Sequence, residues 1–220
     1  MKYNKFIDHT LLKQDSNRSQ IDKLISEAIK YDFMSVCVNP YWISYCKEAL
    51  NKTDVKICTV IGFPLGANTI ESKVFEAKDA ISKGADEIDM VINVGALKDQ
   101  NYDYLVKEIS EIKKACNDKI LKVIIETCLL TDEEKIMACK AIIEAKADFV
   151  KTSTGFSISG ATFSDVKLLK DTVKDNCLIK AAGGVKTHED LVMMINLGAD
   201  RIGTSSGVKL MEKENSETSY

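Results

Sequence analysis

The stretches SKGADEID (82–89), EAKADFVK (144–151) and NLGADRIG (196–203) share one pattern: a helix end, then Ala-Asp, then the start of a strand. KYDFMSV (30–36) is a looser fourth copy. Glycine in two of them suits a left-handed helix C-cap, and the aspartate suits the turn that follows. One recurring helix-to-strand junction is what stacked βα units produce. Outward from these junctions, strand-like segments rich in Val and Ile fall at 5–9, 34–38, 55–61, 87–92, 120–126, 149–152, 177–182 and 201–204. Helix-like stretches follow them at 18–30, 40–50, 70–83, 102–116, 132–145, 163–174, 188–196 and 205–213. N-caps are expected at Asn68–Thr69, Thr131–Asp132 and Ser164–Asp165. Eight alternations in 220 residues predict an α/β chain folded as a compact (β/α)8 barrel, the TIM-barrel architecture, with a doubly wound open sheet as the rival. The barrel is expected over 1–211, and 212–220 reads as a polar, flexible tail.

The composition suits a globular chain with one sizeable core. A net charge of −3 argues against nucleic acid as the main partner, which would favour a basic face. No run approaches a membrane span, and the first residues lead into charged and polar ones rather than a signal-peptide core. The seven cysteines form no C-x-x-C pair, so free thiols in a reducing cytoplasm are expected, without a zinc ribbon or disulfide framework. Arg18 and Arg201 are the only arginines, so a phosphate site must rely on lysine, backbone N–H groups and hydroxyls.

Charged residues stand where the strands should be apolar. Strand side chains alternate faces, and one face of a barrel points inward. Glu87, Asp89, Val91 and Asn93 share a face, as do Lys122, Ile124 and Glu126, then Phe149 and Lys151, then Leu178, Lys180 and Ala182. Four consecutive strands can therefore aim Asp89, Lys122, Lys151 and Lys180 at one region, with Asp8 joining from across the barrel. A single strand lysine could instead snorkel outward between helices. Four charges on successive strands favour a shared site, where they must pair or neutralise because unpaired burial costs several kcal/mol. Two ammonium groups ~5–6 Å apart repel by about 3 kcal/mol at an effective dielectric near 20, enough to lower one pKa by about two units. Such an amine can attack a carbonyl and form a Schiff base. Charge and position leave open which lysine is the nucleophile.

Three late loops, TSTGF (152–156), AAGGVKT (181–187) and GTSSGV (203–208), combine glycine with hydroxyls or free backbone N–H groups. Barrels often bind phosphate after strands seven and eight, although Gly-Gly can equally make only a tight turn. VIGFPLGAN (60–68) lacks the ending of a phosphate-binding P-loop. His9 and His188 are unaccompanied; His9, beside Asp8, reads as structural rather than as a metal ligand. Cys37 reads as a core thiol that can face the cavity, and Met193 and Met194 as helix packing.

Taken together, FIDHTLL (6–12), VCVNP (36–40), IGFPLGAN (61–68), EIDMVINVGALK (87–98), LKVIIET (121–127), DFVKTSTGF (148–156), IKAAGGVKT (179–187) and GADRIGTSSG (198–207) make almost the whole chain resemble the deoxyribose-phosphate aldolases. These are class I aldolases on a (β/α)8 barrel. The resemblance implies Lys151 as the Schiff-base lysine, Lys180 as the second lysine that depresses its pKa and moves protons, and Asp89 as the acid/base carboxylate. It implies Lys122 as a supporting cation, Asp8 and Cys37 as cavity residues, and phosphate loops at Gly155, Gly183, Gly184, Gly203, Ser205 and Ser206. Lys186 stands where an arginine is common, which keeps the charge and loses any bidentate contact. The implied reaction is reversible cleavage of 2-deoxy-D-ribose 5-phosphate to acetaldehyde and D-glyceraldehyde 3-phosphate, with no metal or other cofactor. Members are often homodimers, though no interface patch is readable here. Some end in a tyrosine that assists proton transfer, a role open to Tyr220. The functional rivals are another phosphate-binding barrel enzyme, such as an isomerase or metal-dependent aldolase, and a non-catalytic sugar-phosphate binder.

Overall fold

The computed structural model describes residues 3–212. In chain order it runs β1 (Ile7–Leu11), α1 (Arg18–Lys30), β2 (Ser35–Val38), α2 (Ile43–Ala49), β3 (Lys56–Ile61), α3 (Ile70–Ser82), β4 (Glu87–Val91), α4 (Val94–Lys98) and α5 (Tyr102–Ala115). The second half runs β5 (Ile120–Ile124), α6 (Asp132–Glu144), β6 (Phe149–Lys151), α7 (Phe163–Val173), β7 (Leu178–Ala182), α8 (His188–Asn196), β8 (Arg201–Thr204) and α9 (Gly207–Glu212). The eight strands pair in sequence order and all in parallel, with β8 closing on β1. This is the expected (β/α)8 barrel. Residues 213–220, which hold most of the expected tail and Tyr220, lie outside the described residues.

The repeated junction has a physical explanation. After α3, α6 and α8 the chain passes through left-handed backbone at Gly84, Lys146 and Gly198. The next N–H then bonds to the carbonyl five residues back, Ala85 to Ala80, Ala147 to Ile142 and Ala199 to Met194, a Schellman closure. The aspartate that follows ties the new strand to the preceding one. Asp86, Asp148 and Asp200 accept from the N–H groups of Ile57, Leu121 and Ile179 at 3.0, 2.7 and 2.9 Å. In the looser copy Asp32 takes the left-handed position and Met34 the aspartate's place, so only its backbone bond to Ile7 remains.

Several expected boundaries shift. β1 starts at Ile7 because Asn4–Phe6 forms a 3-10 turn, and the 40–50 segment divides into a turn at Pro40–Trp42 and α2. Thr162, not Ser164, caps α7, accepting from Asp165 N–H at 3.0 Å. The short α4 was not expected; Asn93 nucleates it by accepting from Ala96 N–H.

The outward strand faces supply the core. Ile57, Ile88, Leu121, Val123, Val150, Ile179 and Ile202 are buried against Ala77, Ile109, Ala138, Ile142, Val166 and Leu191 of the surrounding helices. Each such branched side chain contributes about 1.5–3 kcal/mol by leaving water. Among the described residues one fully buried ion pair sits outside the lumen: Lys73 on α3 donates to Glu108 on α5 (2.6 Å) and to the carbonyls of Gly66 and Val91 (2.8 Å each). Among the described residues no helix is long and apolar enough to cross a membrane.

Candidate active site

Inside the barrel the same strands carry charge. Asp8, Glu87, Asp89, Lys122, Lys151, Lys180 and Arg201 are all buried. The register sets Asp89 beside Lys122 and Lys151 beside Lys180 on adjacent strands. Asp89 is the hub. Its Oδ2 accepts from both Lys151 Nζ and Lys180 Nζ, each at 2.7 Å. Its Oδ1 accepts from Lys122 Nζ at 2.9 Å and from the Cys58 thiol at 3.1 Å. Lys180 Nζ also stands 2.6 Å from Asp8 Oδ2, so Asp8 does join from across the barrel. Lys122 reaches Glu87 at 2.5 Å, and Arg201 bridges Asp8 and Glu87 at the base of the lumen.

This packing fixes the charges. Burial by itself would push the Asp89 carboxyl up, but Lys122, Lys151 and Lys180 outweigh it and hold its pKa well below the carboxylate range. Asp8 is lowered in the same way, burial being outweighed by Lys180 and Arg201. Burial disfavours the Lys180 ammonium, yet Asp8 and Asp89 raise its pKa well above the ordinary lysine value. Lys122 is likewise raised against burial, chiefly by Asp89. The two lysines of β6 and β7 thus meet across a shared carboxylate oxygen, not as a bare ammonium pair.

Above this network lies a cavity of about 410 Å³ at the C-terminal ends of the strands. Of the four basic side chains in the lumen, Lys151 alone lines it. Its walls include Gly155, Gly183, Gly184, Gly203, Ser205 and Ser206, so the six expected loop residues converge on one space. Gly183 and Gly184 both have left-handed backbone (φ 70° and 75°), and a Cβ on Gly184 would stand 2.4 Å from the Ala161 carbonyl oxygen. That turn requires glycine.

Cys37 is buried with Leu12, Cys58 and Val60 beside this network. Its thiol pKa is lowered by the hydrogen bond with Cys58, with burial opposing and Lys180 helping. Donor atoms of Cys37, Cys58 and Asp89 lie within 4.8 Å of one another, but the Asp89 oxygens are already taken by three ammonium groups. His9 faces away from the lumen and pairs with Glu27 at 2.7 Å, so its partner is Glu27 and not Asp8. His188 bonds to the Leu210 carbonyl at 2.9 Å. Lys186 keeps its backbone N–H on Asp190 at 3.0 Å.

Reading strand faces missed Arg201, Cys58 and the pairing of Glu87. Parity was the available signal, since Arg201 shares a face with Gly203 and Cys58 with Val60. It also missed what Glu126 does. This residue has left-handed backbone (φ 54°, ψ 64°) and grips Thr154 of the β6 loop through both its N–H and its hydroxyl.

The profile described as DeoC/LacD family aldolase matches residues 3–212. The chain belongs to that family. It is 57% identical over 220 residues to a protein of Mesoplasma florum named deoxyribose-phosphate aldolase 1, with all of both chains covered. It is 59% identical over 214 residues to the deoxyribose-phosphate aldolase of Streptococcus uberis, covering 97% of each. Among solved structures it is similar to a putative deoxyribose-phosphate aldolase from Coccidioides immitis (TM-score 0.93, 42% identity), covering 96% of this chain and 85% of that one. It is also similar to the deoxyribose phosphate aldolase of Aeropyrum pernix (TM-score 0.90, 33% identity), covering 98% and 92%. The chain is an aldolase, and so a lyase, which removes the isomerase and non-catalytic rivals.

Proposed function

We propose that this aldolase reversibly cleaves 2-deoxy-D-ribose 5-phosphate to acetaldehyde and D-glyceraldehyde 3-phosphate through a Schiff base on Lys151. The observation that carries the reading is that Lys151 alone among the buried bases opens to the cavity, while its amine rests on Asp89. Lys151 attacks C1 of the open-chain sugar, and loss of water from the carbinolamine leaves an iminium. The C2–C3 bond then breaks, its electron pair moving into the iminium to give an enamine as the C3 hydroxyl loses its proton and becomes the triose aldehyde. Protonation of the enamine at C2 and hydrolysis release acetaldehyde and the free lysine.

Asp89 and Lys180 move these protons, with an ordered water as carrier. In the carbinolamine the Lys151 nitrogen is neutral, so Asp89 Oδ2 loses one of its two ammonium partners and binds a proton more readily; the cationic iminium restores that partner. Lys180 stays cationic between Asp8 and Asp89, which supplies a proton donor beside the Lys151 nitrogen. Lys122 holds Asp89 from the other side. The phosphate lies against Gly155, Gly183, Gly184, Gly203, Ser205 and Ser206, where backbone N–H groups and hydroxyls replace an arginine. Tyr220 assists proton transfer; unchanged exchange of the acetaldehyde methyl protons after its deletion would remove it from the scheme.

The deciding experiment is borohydride reduction in the presence of acetaldehyde, read by mass spectrometry of the intact and digested protein. One ethyl adduct on the peptide holding Lys151 is expected, and none in Lys151→Leu. No adduct on the wild-type chain, or an unchanged adduct in that variant, rejects the mechanism. The seven cysteines are free, in keeping with a cytoplasmic enzyme. A homodimer is the expected assembly, and light scattering separates it from the tetramer named for the Aeropyrum pernix structure.

A further inference from the structure

Glu126 follows β5 at the mouth of the barrel and is 4% exposed. Among the described residues it has no cationic partner, unlike the lumen carboxylates Asp8, Glu87 and Asp89. It accepts instead from Thr154: from the N–H at 3.2 Å on Oε1, and from the hydroxyl on Oε2. Thr154 Oγ1 in turn accepts from Phe156 N–H at 3.0 Å. The left-handed backbone at Glu126 turns its side chain onto this loop, and the Thr127 N–H bonds to the Thr152 carbonyl at 2.9 Å beside it. Thr154 lines the cavity that Lys151 opens into.

A threonine hydroxyl has one proton and two lone pairs. The proton is committed to Glu126 and one lone pair to Phe156 N–H, so one lone pair is left. A ligand group meeting it must be a donor. A phosphate or carbonyl oxygen has nothing to give it, whereas an alcohol does.

We propose that Glu126 is a positioning residue for substrate selection. By holding the Thr154 proton it makes this hydroxyl an acceptor for the non-reacting C4 alcohol of the sugar, the alcohol next to the aldehyde of the acceptor triose. The inference rests on the reaction proposed above. C1 is bound at Lys151, the C3 hydroxyl loses its proton in cleavage and the phosphate lies on the glycine loops, which leaves C4 as the alcohol without a partner. The arrangement gives the cavity an end rich in donors for phosphate and, at Thr154, an acceptor for an alcohol.

The test compares acceptors in the synthetic direction: D-glyceraldehyde 3-phosphate against 3-oxopropyl phosphate, which lacks only that alcohol. In Glu126→Gln the amide can donate to Thr154 Oγ1 and free its proton toward the cavity. The ratio of kcat/KM values for the two acceptors should then fall by roughly tenfold, about the value of one hydrogen bond to a substrate alcohol. Thr154→Val should show the same fall, and adding Glu126→Gln to it should change the ratio no further. Rates are normalised to acetaldehyde methyl exchange in D2O, a half-reaction that involves no acceptor. Loss of folding or of active fraction lowers both acceptors equally and leaves the ratio intact. An unchanged ratio in Glu126→Gln overturns the inference; should that variant not fold, an unchanged ratio in Thr154→Val overturns it. Absence of exchange in the wild-type protein would reject the Schiff-base reaction and this inference with it. Exchange with an unchanged ratio rejects this inference alone.

Discussion

The same eight strands build two different interiors. Between strands and helices the contacts are almost wholly aliphatic, as at Ile88, Leu121, Val123 and Ile179. Inside the lumen, one residue away along the same strands, four basic and three acidic side chains are interlocked. The shell gains stability from leaving water, while the lumen must recover the cost of dehydrating its charges before contributing anything. A lumen filled like the shell would be more economical, so the charge network is retained for chemistry.

That contrast predicts a separation of activity from stability. Lys151→Leu removes the proposed nucleophile and should lower cleavage by about three orders of magnitude or more. It also leaves three basic and three acidic side chains in the lumen, so thermal unfolding should move little. Activity assays and calorimetry on one preparation check both. A large loss of stability with Lys151→Leu would show that this lysine is part of the scaffold.

Asp89→Leu should behave differently. Lys122, Lys151 and Lys180 would lose their common counter-charge, leaving four basic groups facing two acidic ones. Breaking a buried pair in this way costs about 3–5 kcal/mol, and denaturant titration should find it. A smaller loss would mean that water or Glu87 takes over the hub.

In the shell, Leu121→Ala should cost about 2–5 kcal/mol through lost burial and the cavity left behind. Its activity per folded molecule should be near that of wild type, because Leu121 points away from Lys122. A fall in specific activity would show that the two interiors are mechanically coupled across the strand.

The sequence made this division readable for a definite reason. Alternation along a strand is a local property, so residue spacing allows Asp89, Lys122, Lys151 and Lys180 to share one region, and four charges on successive strands favour the lumen over outward snorkelling. The junction motif was readable too, because Asp86, Asp148 and Asp200 make the same backbone bond three times. What stayed hidden depends on contacts distant in sequence. Lys73 lies on an amphipathic helix and looks like a surface residue, yet it is buried on Glu108, 35 positions away. Arg201 shares the inward parity, but nothing local says that it spans from Asp8 to Glu87. The left-handed backbone at Glu126 has no sequence signal, since glycine or asparagine is the usual occupant of that conformation. Likewise α4 is a five-residue helix resting on one asparagine cap.

The smallest effect compares two adjacent residues on β1. Asp8 faces the lumen, where Lys180 and Arg201 overcome burial and hold its pKa low. His9 faces the shell, where burial lowers its pKa below the ordinary 6.5 despite the bond to Glu27. For His9 the unfolded chain therefore takes up a proton before the folded one does. Its contribution to stability is complete above pH 6.5 and declines as the pH falls from there toward the folded-state value. The lowered carboxyls act in another window. Their stabilisation is complete above the unfolded carboxylate range, near pH ~4, and is lost only as the pH falls through their depressed folded values. Stability measured by urea titration between pH 8 and pH 3 should thus show a shallow decline beginning near pH ~6.5 and a steeper one below ~4. His9→Gln should remove the first and leave the second. If the decline near 6.5 survives that substitution, its origin is a group other than His9, and the contrast between these two neighbours on β1 does not extend to protons.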